Sequence, residues 1–149
     1  MDYYDLKNKI FLISQKAIIT DGEKVLVLKN TGEWTKGVSE WELPGGLLEM
    51  EEDFEKGLKR EVLEETKLNI EIEKIITLWS DFYNGFKFKN GDLKDVRIVN
   101  IAFVCKKIGG EVKLSGEHLE YLWVDREQLK NLDFSGNTNF AIEKFLELD

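Results

Sequence analysis

Three glutamates, Glu61, Glu64 and Glu65, stand at i, i+3 and i+4 in the stretch FEKGLKREVLEETKL that begins at Phe54. If that stretch is helical, all three carboxylates crowd one side of it. The arrangement is unfavourable by itself, because like charges at i,i+4 cost ~0.2–0.5 kcal/mol per pair. Carboxylates in a last turn also face the negative end of the helix dipole, at a further ~0.3–1 kcal/mol. A hard divalent cation reverses both signs, since clustered carboxylate oxygens are what Mg2+, Mn2+ and Ca2+ prefer. A solvated acidic face is the alternative, in a chain with 29 Asp and Glu against 21 Lys and Arg.

The elements that must position these carboxylates are legible around them. Asp53 is placed to N-cap the helix, its carboxylate accepting from the unpaired N–H groups of the first turn. Phe54, Leu58 and Val62 recur at four-residue spacing and form its apolar stripe. Ahead of it lies Pro44-Gly45-Gly46, the only proline followed by a glycine pair, and then a polar turn.

The wider spacing favours the metal reading. From Gly46, five residues lead to Glu52 and seven more to Arg60-Glu61; Val62, Leu63, Glu64-Glu65, two residues and the apolar Leu68 follow. This resembles the signature box of the Nudix hydrolases over 23 residues, and WELPGG just before it is similar to that family's lead-in. The resemblance implies an α/β fold, a Nudix-type α/β/α sandwich with a mixed β-sheet and a loop-helix-loop catalytic motif. It implies Glu61 and Glu65 as metal ligands, Glu64 as a ligand directly or through water, and the carbonyl of Gly46 completing the set. Arg60 and Glu52 are implied as an ion pair that orients the ligands. Lys67 stands where the family has glycine after the helix, and Glu51 where many members have glycine before Glu52. A lysine in a left-handed position costs about 1 kcal/mol relative to glycine.

Composition bounds the rest. With 149 residues, 42% hydrophobic and 34% charged, the chain reads as one globular domain over 1–149. A net charge of −8 argues against a duplex nucleic-acid partner, which basic patches would hold. It leaves room for a small nucleotide met by a metal ion and a few lysines. Cys105 is the sole cysteine and His118 the sole histidine, which excludes an internal disulfide and argues against a Cys/His zinc site. No apolar run reaches spanning length and the N-terminus is too polar for a signal peptide, so the expectation is a cytoplasmic protein with no membrane association.

In chain order, Ile10–Thr20 reads as a strand, Asp21-Gly22 as a hairpin turn and Lys24–Lys29 as the returning strand. A loop follows, with a short strand around Trp41–Leu43. Its tryptophans, Trp34 and Trp41, could stack on a base, or pack on the core in the case of Trp41. After the helix, Asn69–Trp79 reads as a strand and Asp81–Asp95 as a hairpin extension or a flap, over the substrate or in a homodimer interface. Val96–Lys106 reads as a central strand carrying a buried, inert Cys105. Tyr121–Val124 is expected as the final strand, Asp125 as the cap of a short helix through Leu129. A terminal helix begins at Asn137 or Thr138, with Phe140, Ile142, Phe145 and Leu146 on its apolar side.

The resemblance further implies hydrolysis of a nucleoside diphosphate linked to another moiety, such as a modified nucleoside triphosphate or a nucleotide sugar, with Mg2+ or Mn2+. The general base is then Glu64 in the box or Glu117 in the loop before Trp123, with Glu120 in reserve; Glu117 reads equally as a solvated loop acid, and His118 beside it is a further candidate, although a lone exposed histidine more often has no role. Lys29 is a phosphate contact or a solubilising strand-end charge. PGG rather than PKG, and the absence of downstream prolines, speak against dinucleoside polyphosphates and ADP-sugars. Two other classes share the motif in part: a nucleotide-sensing domain without turnover, and an isoprenoid diphosphate isomerase, which would need a cysteine less buried than Cys105.

Overall fold

The computed structural model describes residues 9–33 and 37–148, so the expectation for Trp34 lies outside the described residues. The described chain runs β1 (Lys9–Asp21), β2 (Lys24–Asn30), β3 (Trp41–Glu42), β4 (Gly45–Leu47), α1 (Phe54–Thr66), β5 (Asn69–Lys87), β6 (Leu93–Gly109), β7 (His118–Val124), α2 (Arg126–Lys130) and α3 (Asn139–Leu146). The described strands form one seven-stranded sheet in the order β3-β2-β1-β6-β5, with β4 also on β1 and β7 also on β2. β1 and β6 run parallel over twelve paired positions, and the other pairs are antiparallel. The sheet is therefore mixed, as expected.

Period-two alternation decides which residues meet which helix. In β1 and β2, Ala17, Ile19, Leu26 and Leu28 turn to one face, where Leu58 and Val62 of α1 cover them. Ile18, Val25 and Val27 turn to the other, beneath Leu129 of α2 and Ala141, Ile142 and Phe145 of α3. Helices on both faces make this the expected α/β/α sandwich. Cys105 is fully buried on the α1 face. Burial pushes its thiol up to about 12, which makes it inert as a nucleophile.

Two expected apolar positions are exposed. Phe54, on the first turn of α1, takes no part in the cluster that Leu58 and Val62 form with the sheet, and is 47% exposed. Phe140 is 52% exposed because it stands two residues from Ile142, about 200° around the helix. Asp81–Asp95 is the hairpin extension rather than a separate flap: β5 continues to Lys87 and β6 starts at Leu93. No helix among the described residues is long and apolar enough to cross a membrane.

The feature that builds the site is a wedge. β1 and β2 pair at Thr20–Val25 and Asp21–Lys24 next to their turn. Farther along they part, and the WELPGGL segment fills the gap. β3 pairs with β2 at Leu28–Glu42 and Lys29–Trp41, while β4 pairs with β1 at Lys16–Gly45, Gln15–Gly46 and Ser14–Leu47. β4 is not legible as a strand from sequence, because a glycine pair reads as a turn. It pairs here since Gly45, at φ 148°, has no Cβ; one built there would lie 1.9 Å from the Gln15 carbonyl oxygen.

Candidate active site

Helix α1 starts and stops as its sequence requires. Asp53 Oδ1 accepts from the Lys56 amide at 2.8 Å. At the other end Lys67 takes the left-handed conformation, φ 64°, and its N–H donates to the Leu63 carbonyl at 3.0 Å. The lysine thus occupies the glycine-like position without undoing the helix end.

Between these caps the glutamates diverge in environment. Glu65 is 7% exposed and points into the wedge, where its Oε2 accepts from the Gly45 amide at 3.4 Å. Burial drives its pKa up to about 7, against the weaker pull of His118 and Lys16. No cationic side chain among the described residues bonds it. Glu61 presses against Gly46: a Cβ on that glycine would sit 2.6 Å from the Glu61 carboxyl carbon. Burial raises Glu61 as well, and the charges of Glu64 and Glu117 add to it, despite Arg60. Glu64 lies outward, its side chain 61% exposed.

Arg60 ties this group together. Its Nε and Nη2 fork onto Glu52 at 2.5 and 2.8 Å, and Nη1 reaches Glu61 at 3.0 Å and Glu64 at 3.2 Å. The guanidinium holds the Glu52 carboxyl down to about 2, and Glu52 in turn raises Arg60. The expected Arg60–Glu52 pair is therefore present, and it extends to two of the expected ligands. Among the described residues, no three His, Cys, Asp or Glu side chains already converge on one ion-sized point.

Glu65 faces a cleft of about 750 Å³, also lined by Lys16, Glu42, Trp79, Glu117 and His118. The cleft suits a nucleotide-sized ligand. His118 is not exposed, contrary to the expectation for a lone loop histidine. It is buried at the start of β7, and its Nε2 pairs with Glu42 Oε1 at 2.5 Å. Burial lowers its pKa, but the Glu42 bond and the Glu65 charge outweigh that and leave it raised. For Glu42, burial raises the pKa while His118, Lys16 and Asn30 lower it, with a net fall.

Of the other expected site residues, Glu117 lies in the bend before β7 and lines the cleft. Glu120 sits within β7 opposite Lys29, and neither lines the cleft. Lys29 instead lies over the Trp41 ring, 5.4 Å from its centroid. Trp41 packs against the core beneath α3, the second of its two expected placements. Lys16, with Lys89, brings positive charge to the cleft. Its signal in the sequence is a lone lysine inside the apolar run of β1; Glu42 and His118 give none, because only the wedge brings them together.

The chain matches the family model of the NUDIX domain over residues 12–144. It belongs to the Nudix family. Among curated proteins it is 33% identical over 89 residues to a MutT-like protein of Streptomyces ambofaciens, covering 60% of this chain and 50% of that one. The chain thus spans half the length of that relative. It is 32% identical over 111 residues to nucleoside triphosphatase NudI of Escherichia coli O139:H28, covering 73% and 75%. Among solved structures, a MutT protein from Methanosarcina mazei Go1 superposes with a TM-score of 0.71 at 25% identity, covering 93% of this chain and 94% of that one. Nudix membership supports a pyrophosphate-cleaving hydrolase as the general activity, with the Mg2+ dependence typical of the family.

The two glycines of the Nudix lead-in have separable duties. Gly45→Ala drives a Cβ into backbone at a left-handed φ, where nothing can yield. A loss of about 3 kcal/mol or more is expected, read as a fall in denaturation midpoint. Gly46→Ala meets first the far end of the Glu61 side chain, which can move. It is expected to keep stability within about 1 kcal/mol, since a flexible side-chain end rather than backbone must give way, while activity collapses as Glu61 is displaced. Equal stability losses in both variants would refute this division.

Proposed function

We propose that the chain is a Mg2+-dependent Nudix pyrophosphohydrolase, with Mn2+ as a substitute. It acts on a nucleoside diphosphate linked to another moiety, such as a modified nucleoside triphosphate or a nucleotide sugar. The observation that carries the reading is Glu65: a buried carboxyl without a bonded cation, at the wall of a nucleotide-sized cleft. The donor set fits the ion, because Glu61, Glu64 and Glu65 offer hard oxygens and Gly46 leaves its backbone open to close approach. Those three carboxylates and the Gly46 carbonyl would hold it. Held there, such an ion would supply charge neutralisation at the phosphate and a lower pKa for water. Lys16 meets the negative charge of the substrate from inside the cleft. Glu117, at the cleft mouth, takes the proton of the attacking water. Arg60 and Glu52 keep Glu61 and Glu64 oriented.

The test is a panel of nucleoside diphosphate derivatives and modified nucleoside triphosphates, with and without Mg2+, scored for released products. Metal-dependent cleavage at a phosphoanhydride bond is expected. Tight nucleotide binding with no release in either metal would establish the sensing domain instead.

Arg60→Ala probes the orienting role. It leaves Glu52, Glu61 and Glu64 without their common partner, in a site where Arg60 is itself 25% exposed. A stability loss of about 2 kcal/mol is expected, below the ~3–5 of a fully buried pair. A 10–100-fold drop in kcat at saturating metal, an order-of-magnitude expectation of about that range, should accompany it. Arg60→Lys keeps the charge but not the fork, so it should recover little of kcat. Full turnover in the lysine variant would show that charge alone suffices.

A further inference from the structure

We propose that Asp81 locks the side-chain amides of Asn100 and Asn137 so that the cleft offers paired carbonyl oxygens to the base, selecting nucleobases that carry an exocyclic amino group. This rests on the reading of the cleft as a nucleotide site, and it assigns the base specificity that the reading leaves open. Three separate elements converge here. Asp81 is on β5, Asn100 on β6, and Asn137 in the loop before α3; all three line the cleft that Glu65 faces. Asp81 Oδ2 accepts from Asn100 Nδ2 at 2.9 Å, and Oδ1 accepts from Asn137 Nδ2 at 2.5 Å.

A carboxylate only accepts, so both amides must turn their nitrogens to it. Flipping either one would set a carbonyl oxygen against a carboxylate oxygen. Each amide is planar, and its Oδ1 is held on the side away from the carboxylate. Neither Oδ1 has a hydrogen-bond partner among the described residues, and neither is sealed from solvent. Asn100 is 6% exposed, which fixes its amide further. Trp79 and Tyr83, on the same wall, provide aromatic faces beside these acceptors.

Two fixed acceptors call for two N–H hydrogens. The amino groups of cytosine and adenine supply two, as do the adjacent ring N–H and amino group of guanine. Uracil and hypoxanthine present a single ring N–H beside a carbonyl, which would leave one acceptor facing oxygen. A site built around hydrogen bonds rejects the analogue lacking them far more strongly than a pocket rejects a missing methylene.

The experiment compares CTP with UTP and ATP with ITP, pairs that exchange an amino group for a carbonyl at one position. In the better-hydrolysed pair, the amino member is expected to lead in kcat/KM by about tenfold or more. Asp81→Asn keeps the shape of the pivot but can also donate, so both amides become free to flip. Its lead is expected to shrink toward parity, and Asn137→Ala should shrink it too. Structural damage would lower both members together, so the ratio isolates the recognition step. Equal rates for both members in the parent protein, or a lead that Asp81→Asn leaves intact, would overturn the proposal. Dissociation constants for the α,β-methylene analogues of the same nucleotides are measured in parallel. Discrimination in binding without turnover would fault hydrolysis and uphold this inference; turnover without discrimination would do the reverse.

Discussion

Glu65→Gln is expected to lower kcat about 10³-fold while making the protein more stable at pH 8 in the presence of a chelator. The activity loss follows from removing a buried ligand from a site asked to supply several kcal/mol of charge stabilisation, about 1.4 kcal/mol per tenfold in rate. The stability gain follows from the carboxyl's environment. Glu65 titrates at about 7 in the folded chain against an ordinary 4.5, chiefly because burial opposes its charge. A raised carboxyl contributes stability that is fully present below pH 4.5 and is lost as pH rises through 7. Above that, the ionised form costs up to about 3 kcal/mol, at ~1.4 kcal/mol for each tenfold change in proton affinity. Gln keeps the shape, can still accept from the Gly45 amide and carries no charge. Chelated parent protein should therefore lose stability between pH 4.5 and 7 where the variant loses less. His118, also raised, shifts stability in the same direction, and part of its shift comes from the Glu65 charge, so the variant removes that part as well while the Glu42 bond keeps the rest. Added Mg2+ should stabilise the parent and leave the variant unmoved. A variant with parental turnover, or one with an unchanged pH profile in chelator, would remove Glu65 from the site.

The helix that carries Glu65 is legible in the sequence because its information is local. An N-cap, a four-residue apolar spacing and three closely spaced glutamates all lie within one stretch; the structure realises the cap and the apolar stripe apart from the exposed Phe54, and places the three glutamates in different environments. The hairpin, the buried Cys105 and the Arg60–Glu52 pair are legible for the same reason, or through the spacing of the box. What the sequence conceals depends on pairing at long range. Lys16, Glu42 and His118 come from β1, β3 and β7, and they share one cleft only because β1 and β2 part and a glycine pair lies against Gln15. Lys29 meets the same limit. Its place at a strand end suggests a phosphate contact, but alternation turns it to the α3 face over Trp41. A β-strand position reveals which side a residue faces only once its register is known.

Register also separates the candidate bases, and Glu117→Gln is the variant that tests them. Glu120 pairs across from Lys29 within β7 and does not line the cleft. Glu64 has one oxygen, Oε2, engaged by Arg60 at 3.2 Å and its side chain 61% exposed to solvent, and it does not line the cleft. Glu117 lines the cleft, has no hydrogen bond or ion pair among the described residues, and stands close enough to Glu61 and His118 for its charge to raise both. Its lone pairs are therefore open to a water in the cleft, which is the first requirement of a general base. Glu117→Gln should lower kcat by about 10²-fold or more, the usual contribution of such a group. Glu120→Gln should stay within about twofold, as an exposed substitution away from the site. Rising pH should restore part of the Glu117→Gln rate, because hydroxide can replace the base but not a metal ligand. If Glu117→Gln keeps full activity while Glu64→Gln loses it and is rescued by alkali, proton transfer belongs to the helix, and Arg60 must release Glu64 during turnover.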